Sequence, residues 1–344
     1  MEKARVAIAG LGFMGRMHAR CLSTIPEAEV VAAWSKFPEE HQKFREFTAT
    51  LGMNISAYYT ELEKMLEDER IDAVFCAIPP RFMVEVASKI VEAGKATLVE
   101  CPPGSTPEEV ESLSKLVRRK GVKAMPGHCY RFAPCFRKAR ELAENLGKPS
   151  MINFREFVPA ESLARQWPRG SWIWKRENGG PIPTMTVFTM DLARWLLNSE
   201  PSISFSILQW QDIEELGILG YDVVNILRFK NGVVWTNEFS GSVGKLMNSM
   251  QLEIICEEGR VLADGPERVI MEGKERVEVP LNLTRQERWG HKFQDEYFVK
   301  SVVINDEDPS VTLEDAKKAL EMSLSILKSG ETGLPVKFEN LRQS

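Results

Sequence analysis

Histidine is scarce in this chain of 344 residues: there are four, at His18, His41, His128 and His291. The six cysteines include no Cys-x-x-Cys pair, and His, Cys and acidic residues nowhere gather at zinc spacing. A zinc finger or ribbon is therefore excluded, and no metal site is expected. Six cysteines in so long a chain do not make a disulfide scaffold either, so buried thiols in a reducing cytoplasm are expected. No apolar run approaches the roughly 20 residues of a membrane span. The chain passes from Met1-Glu-Lys-Ala-Arg5 straight into Val6-Ala-Ile-Ala9, without a secretory apolar segment ahead of it. Lys and Arg (44) are outnumbered by Asp and Glu (49), a formal charge of −5, which argues against a surface that coats nucleic acid. What remains is a globular composition, 43% hydrophobic and 27% charged, with length for about two domains at roughly 150 residues each.

Short apolar runs alternate with amphipathic stretches over residues 1–126. The runs Val6–Ala9, Val30–Trp34, Ala73–Ile78, Leu98–Glu100 and Lys123–Met125 read as strands covered on both faces. Glu61–Asp68, Val84–Ala93 and Pro107–Arg119 read as helices between them. This alternation predicts an α/β domain with a doubly wound parallel sheet. The pattern changes in residues 127–344. Ile203–Gln211, Val223–Phe229, Val233–Phe239 and Leu252–Cys256 read as longer strands, and Lys230-Asn-Gly-Val233 predicts a type I′ hairpin. The second domain is expected to be α+β with an open, mainly antiparallel sheet. Leu313–Lys328, with Thr312 as N-cap, is its closing helix.

Gly10-Leu-Gly12-Phe13-Met14-Gly15 follows the first strand directly and opens a helix. The first glycine permits the turn, the second lets backbone approach a pyrophosphate, and the third lets helix and strand pack closely. The helix N-terminus supplies N–H donors to the anion. About 20 residues further on, where an NAD site usually has an acidic residue, stand Trp34-Ser35-Lys36. A hydroxyl and an ammonium with no carboxylate suit a 2′-phosphate, so NADP(H) is favoured over NAD(H); the alternative is a solvated lysine. Ile78-Pro79-Pro80 ends the strand expected to pass the nicotinamide ribose, unless the prolines only stiffen a turn.

These residues, in this order, resemble the glucose–fructose oxidoreductase / inositol dehydrogenase / rhizopine-catabolism (Gfo/Idh/MocA) family. The resemblance takes in Gly10–Gly15 followed by His18, Ala77-Ile-Pro79, Val99-Glu-Cys-Pro102 and Gly127-His-Cys-Tyr-Arg131-Phe. It continues through Ser171-Trp172, Gly179-Gly180, Asp191-Leu-Ala-Arg-Trp195 and Gly333-Leu-Pro335. It implies a Rossmann domain, a C-terminal sheet often used for a homodimer or homotetramer, and hydride transfer to or from sugars or polyols. Family members usually carry a lysine in Glu-Lys-Pro, and an aspartate and histidine spaced i, i+4 on one helix face. Here Cys101 stands at the lysine position, Thr184 at the aspartate and Phe188 at the histidine. This marks an atypical member without the usual acid–base set.

Oxidising a carbinol removes a proton as well as a hydride, so another residue must stand in for the missing set. Glu100 could orient the nicotinamide or carry a proton, or hold a structural hydrogen bond. Tyr130 could protonate an alkoxide and Arg131 could clamp an anion, or both could serve packing and an ion pair. Thr184 could hydrogen-bond substrate but is a poor base. Cys101 adjoins the cofactor, and a small packed hydrophobe describes it better than a reactive thiol. The stretch Gln166–Arg176 holds three tryptophans; Trp172, Trp174, Lys175 and Arg176, with Phe188, suit a carbohydrate-like or anionic substrate, or an arm packed on a neighbour. Two functions stay open: an NADP(H)-dependent oxidoreductase with a non-standard proton donor, and a non-catalytic NADP(H)-binding sensor or partner subunit.

Overall fold

Five of the strands in the first part of the chain form where the apolar runs lie. In the computed structural model, which describes residues 3–176, 179–247 and 249–338, these are β1 (Ala4–Ala9), β2 (Ala28–Trp34), β4 (Ala73–Cys76), β5 (Ala96–Val99) and β6 (Ala124–Pro126). A sixth strand, β3 (Ala57–Tyr59), has three half-buried residues and so lacks the continuous apolar signature. The helices between them are α1 (Phe13–Leu22), α2 (Pro38–Ala49), α3 (Leu62–Leu66), α4 (Pro80–Glu92) and α5 (Pro107–Lys120). Sequence sets their limits. At α5, Thr106 accepts from the Glu109 amide and Glu109 reaches back, and Gly121 at φ 65° ends the helix. The sheet is parallel in the order β3-β2-β1-β4-β5-β6. The order reverses between β1 and β4, so the strand ends there face the crevice where such sheets bind ligands.

The chain divides into two compact units. The first runs to Phe132 and includes residues 290–318; the second comprises 133–289 and the chain from 319 on. The second unit begins with α6 (Pro134–Ala143), β7 (Pro149–Phe157), α7 (Ala160–Gln166) and α8 (Ile182–Leu197). Its further strands are β8 (Pro201–Ile213), β9 (Ile218–Phe229), β10 (Val234–Ser240), β11 (Ser249–Cys256), β12 (Gly259–Asp264), β13 (Arg268–Glu272) and β14 (Arg276–Pro280). α9 (His291–Tyr297) returns to the first unit, α10 (Leu313–Thr332) begins there, and β15 (Val336–Lys337) closes the second.

The boundary expected at 126/127 lies inside the first unit, because the turn Cys129–Phe132 stays with it. The returning segment buries Phe298, Val299 and Val302 in the core of the parallel sheet. The Phe298 ring meets Phe75 edge-on at 5.3 Å. A helical pattern in sequence does not say which sheet it will cover, so this return was not legible.

Among the described residues, the sheet of the second unit runs in the order β14-β13-β12-β11-β7-β10-β9-β8-β15. All neighbours are antiparallel except β7 and β10, so the expected mainly antiparallel sheet is present. Its inner face buries Phe154, Phe229 and Trp235. A polar stitch fixes the register there: Asn225 donates to Ser204 and Ser206 Oγ at 2.9 Å, and Asn237 donates to Asn225. Within this unit α10 lies on β8, where a Cβ on Gly330 would meet Leu208 Cβ at 2.5 Å. The β9–β10 turn differs from the type I′ expectation. Phe229 pairs with Val233, the Gly232 amide donates to Phe229 O, and only Gly232 of the loop has positive φ. It is a three-residue loop; the Asn231 amide group, bonded to Leu197 O and the Val233 amide, holds that residue out of the left-handed region.

Candidate functional site

The C-terminal ends of β1, β2, β4 and β5 meet at one edge of the first unit. The Gly10 amide donates to Trp34 O, Ala77 to Ala9 O, and Glu100 to Cys76 O. Gly10 has φ +98°, and a Cβ there would lie 2.2 Å from Ala77 O and 2.8 Å from Ile78 Cγ2. A Cβ on Gly15 would lie 1.9 Å from Gly10 O. These two glycines are demanded by the turn itself. Gly12 differs: nothing lies within 4 Å of its would-be Cβ, and it caps the N-terminus of the ten-residue α1. The helix N-terminus thus opens beside a backbone with no side chain in the way, the kind of cradle a pyrophosphate fits. Phe13 and Met14 form the first turn beyond it, Phe13 exposed and Met14 half-buried. Ile78 and Pro79 are half-buried at the end of β4.

At the end of β2 the structure corrects the premise behind the NADP(H) preference. Ser35 is 4% exposed, and its Oγ donates to Glu40 Oε2 at 2.5 Å. Its Oγ also accepts from the Phe37 amide at 3.2 Å, and His41 Nε2 lies 2.9 Å from its carbonyl. A carboxylate therefore does stand beside Ser35; it comes from the first turn of α2, not from β2. Lys36 Nζ lies 5.1 Å from the ring centres of both Phe37 and Phe82, a cation–π arrangement.

Glu100 is the centre of a buried charge network. His18, one turn into α1, places Nε2 3.0 Å from Glu100 Oε1 and Nδ1 2.9 Å from Asp295 Oδ2 of α9. The side chains of His18 and Asp295 are wholly buried. Ionised carboxylates only accept hydrogen bonds, so both ring nitrogens must donate and the ring is an imidazolium. Burial opposes that charge, but Asp295 and then Glu100 outweigh it and raise the His18 pKa to about 10. Glu100 Oε2 accepts from the Cys101 amide at 3.3 Å, and Gly127 leaves room for the carboxylate, since a Cβ there would lie 2.8 Å from Oε1. Both Glu100 oxygens thus have protein partners. Nearby His291 is half-buried, and its desolvation lowers its pKa.

Cys101 is buried next to Glu100, and burial raises the pKa of Cys76 and Cys21. Tyr130 is buried in the turn Cys129–Phe132, and Arg131 Nη2 lies 3.4 Å from Asp315 Oδ1. The ion pair weighed for Arg131 in the sequence is therefore formed.

In the second unit, Thr184 and Phe188 are one turn apart on α8 and both half-buried, sharing a helix face. Trp172 and Trp174 lie in a single 3-10 turn. Trp174 donates to Trp167 O at 3.0 Å and meets that ring edge-on at 6.4 Å. The Arg176 guanidinium stacks over Trp210 at 5.5 Å, while Lys175 is exposed. The aromatic stretch therefore folds partly on itself and on β8.

His18, Asp295 and Glu40 join the site only in the folded chain. His18 carried a signal, its fixed place after Gly15. Asp295 and Glu40 are ordinary helix acids until the fold brings them to a strand end.

A family model described as an oxidoreductase family with a NAD-binding Rossmann fold matches residues 4–128. A second, for an oxidoreductase family C-terminal alpha/beta domain, matches residues 140–338. The myo-inositol 2-dehydrogenase of Thermotoga maritima is 27% identical, across 98% of this chain and 99% of its own. The scyllo-inositol 2-dehydrogenase (NAD(+)) of Bacillus subtilis is 25% identical, across 98% and 97%. A crystal structure of a probable dehydrogenase from Thermotoga maritima superimposes with a TM-score of 0.81 at 25% identity, covering 98% of this chain and 99% of the other.

Proposed function

Because the chain belongs to the Gfo/Idh/MocA oxidoreductase family, we propose that it is a nicotinamide-dinucleotide-dependent dehydrogenase acting on the CH–OH or C=O group of a cyclic polyol or sugar-like substrate. The observation that carries the cofactor half is the β1–α1 turn, where Gly10 and Gly15 are sterically required and Gly12 faces open space. The relatives named inositol dehydrogenases support the substrate class. The bound dinucleotide would supply the hydride acceptor or donor. The chain's own residues hold its pyrophosphate at the N-terminus of α1, keep water from the buried ends of β4 and β5, and manage the proton.

For that proton the residues at the family's catalytic positions are Cys101, Thr184 and Phe188, none of them a base at neutral pH. Glu100 acts by positioning, because His18 and the Cys101 amide occupy its oxygens. We assign the donor role to the phenol of Tyr130, and to Thr184 a hydrogen bond to substrate. A phenol suits reduction, in which an alkoxide takes up a proton, better than oxidation, which needs a base. Trp172, Lys175 and Phe188 are the remaining substrate-contact candidates.

The outer face of the second sheet supports a homo-oligomer. Phe205 pairs with Ile226 and Ile207 with Val224, four apolar side chains on one face, with Ile207 67% exposed. A second copy of the chain would cover it. Six buried cysteines accord with a reducing cytoplasm.

The test is turnover in both directions with NAD(H) and NADP(H) across inositols, their keto forms and sugar acids. Reduction of a ketone, slowed at least tenfold by Tyr130→Phe, supports the reading. Tight dinucleotide binding with no turnover by any candidate sinks the enzyme and leaves a dinucleotide-binding sensor.

A further inference from the structure

We infer that Glu40, reaching from the first turn of α2 to Ser35, takes the part of the acidic residue missing from the end of β2 and makes the site select NAD(H) over NADP(H). This rests on the dinucleotide-binding reading above.

The sequence puts Ser35 where a ribose-binding carboxylate usually stands, and Ser35 alone looks like a donor for a phosphate. The structure reverses that chemistry. A serine hydroxyl has one hydrogen to give, and Ser35 gives it to Glu40 Oε2 at 2.5 Å while accepting from the Phe37 amide. What it offers an incoming adenosine ribose is acceptor capacity. An ionised carboxylate also only accepts, at about four lone-pair sites, of which Ser35 takes one. Two vicinal hydroxyls bring donors and fit this pair. A 2′-phosphate brings acceptor oxygens and a charge of about −1.5 to −2, and meets a carboxylate and a spent hydroxyl.

The cations at this edge do not restore a phosphate site. Lys36 Nζ is held over the Phe37 and Phe82 rings, and the Arg81 guanidinium lies 4.3 Å from the Phe82 ring centre. The placement of Glu40 is fixed locally. Pro38 opens α2, the Glu40 amide donates to Phe37 O, and two acids in that first turn suit the helix N-terminus.

Fluorescence titration of the full-length protein with NADH and with NADPH, without substrate, tests this independently of turnover. The expected wild-type result is NADH binding at least tenfold tighter than NADPH. Glu40→Gln keeps the shape and removes the charge, and should shrink that ratio by about tenfold, the worth of one charge-assisted hydrogen bond. Ser35→Ala should shrink it less. Melting curves of the free proteins check that α2 is intact; if Glu40→Gln melts early, Glu40→Asp, which keeps the charge on a shorter arm, must retain the NADH preference. Tighter NADPH binding in the wild type, or a ratio that Lys36→Ala moves and Glu40→Gln does not, overturns the inference and leaves the dehydrogenase reading standing. If neither NADH nor NADPH binds, both the inference and the dehydrogenase reading fall.

Discussion

Replacing His18 with glutamine removes the cation that Glu100 and Asp295 share. The ring spans them at 3.0 and 2.9 Å in a site closed to water. Two routes give the cost. A pKa raised from 6.5 to about 10, at roughly 1.4 kcal/mol for each pH unit, gives about 5 kcal/mol. Removing one partner of a buried ion pair typically costs about 3–5 kcal/mol. The folded value lies above the unfolded one, so this contribution is complete below about pH 6.5. It declines as pH rises and is gone above about pH 10. Denaturant unfolding should therefore show wild-type stability falling between pH 6.5 and 10, and His18→Gln weaker by about 3–5 kcal/mol near pH 6.5. Asp295→Asn added to His18→Gln should cost less than the two single changes summed, since it removes one uncompensated charge. With four histidines in the chain, ¹⁵N spectra of the ring nitrogens are simple, and His18 should carry protons on both at pH 8. A His18→Gln cost below about 1 kcal/mol, or a neutral His18 ring at pH 8, would refute the imidazolium bridge.

The glycines of the first turn should separate by role. Gly12→Ala meets nothing within 4 Å and should leave the free protein's melting point unchanged, yet weaken NADH binding at least tenfold by filling the pyrophosphate approach. Gly15→Ala, with its Cβ 1.9 Å from Gly10 O, should lower the melting point as well, since backbone must move; equal melting points for the two variants would count against this division. Ile207→Glu, on the exposed apolar strip opposite Val224, should reduce the mass measured by light scattering to that of one chain. An unchanged mass in that variant, with wild type multimeric, would place the contact elsewhere.

Much of the architecture is legible in the order of residues because it depends on local rules. Apolar runs spaced by amphipathic helices require a sheet covered on both faces, and Gly10–Gly15 require a turn that side chains would block. Thr312 caps α10 through a reciprocal bond with Asp315, as its place ahead of Leu313 suggests. The longer strands of the second sheet follow from alternation, whereas β7 was missed, and its parallel pairing with β10 depends on partners that no local pattern names.

The chemistry at the strand ends was decided by tertiary structure. A glutamate on α2 and an aspartate on α9 look alike in sequence, each an acid on a helix with polar neighbours. The fold turns Glu40 onto Ser35 at the end of β2, and carries Asp295 across 277 positions of sequence to His18. Hydrogen-bond direction then sets their meaning: a serine whose proton is spent becomes an acceptor, and a histidine between two acceptors must be charged. The sequence by itself determined where a dinucleotide can lie. Only the approach of residues distant in the chain determined which donors and acceptors it would meet there.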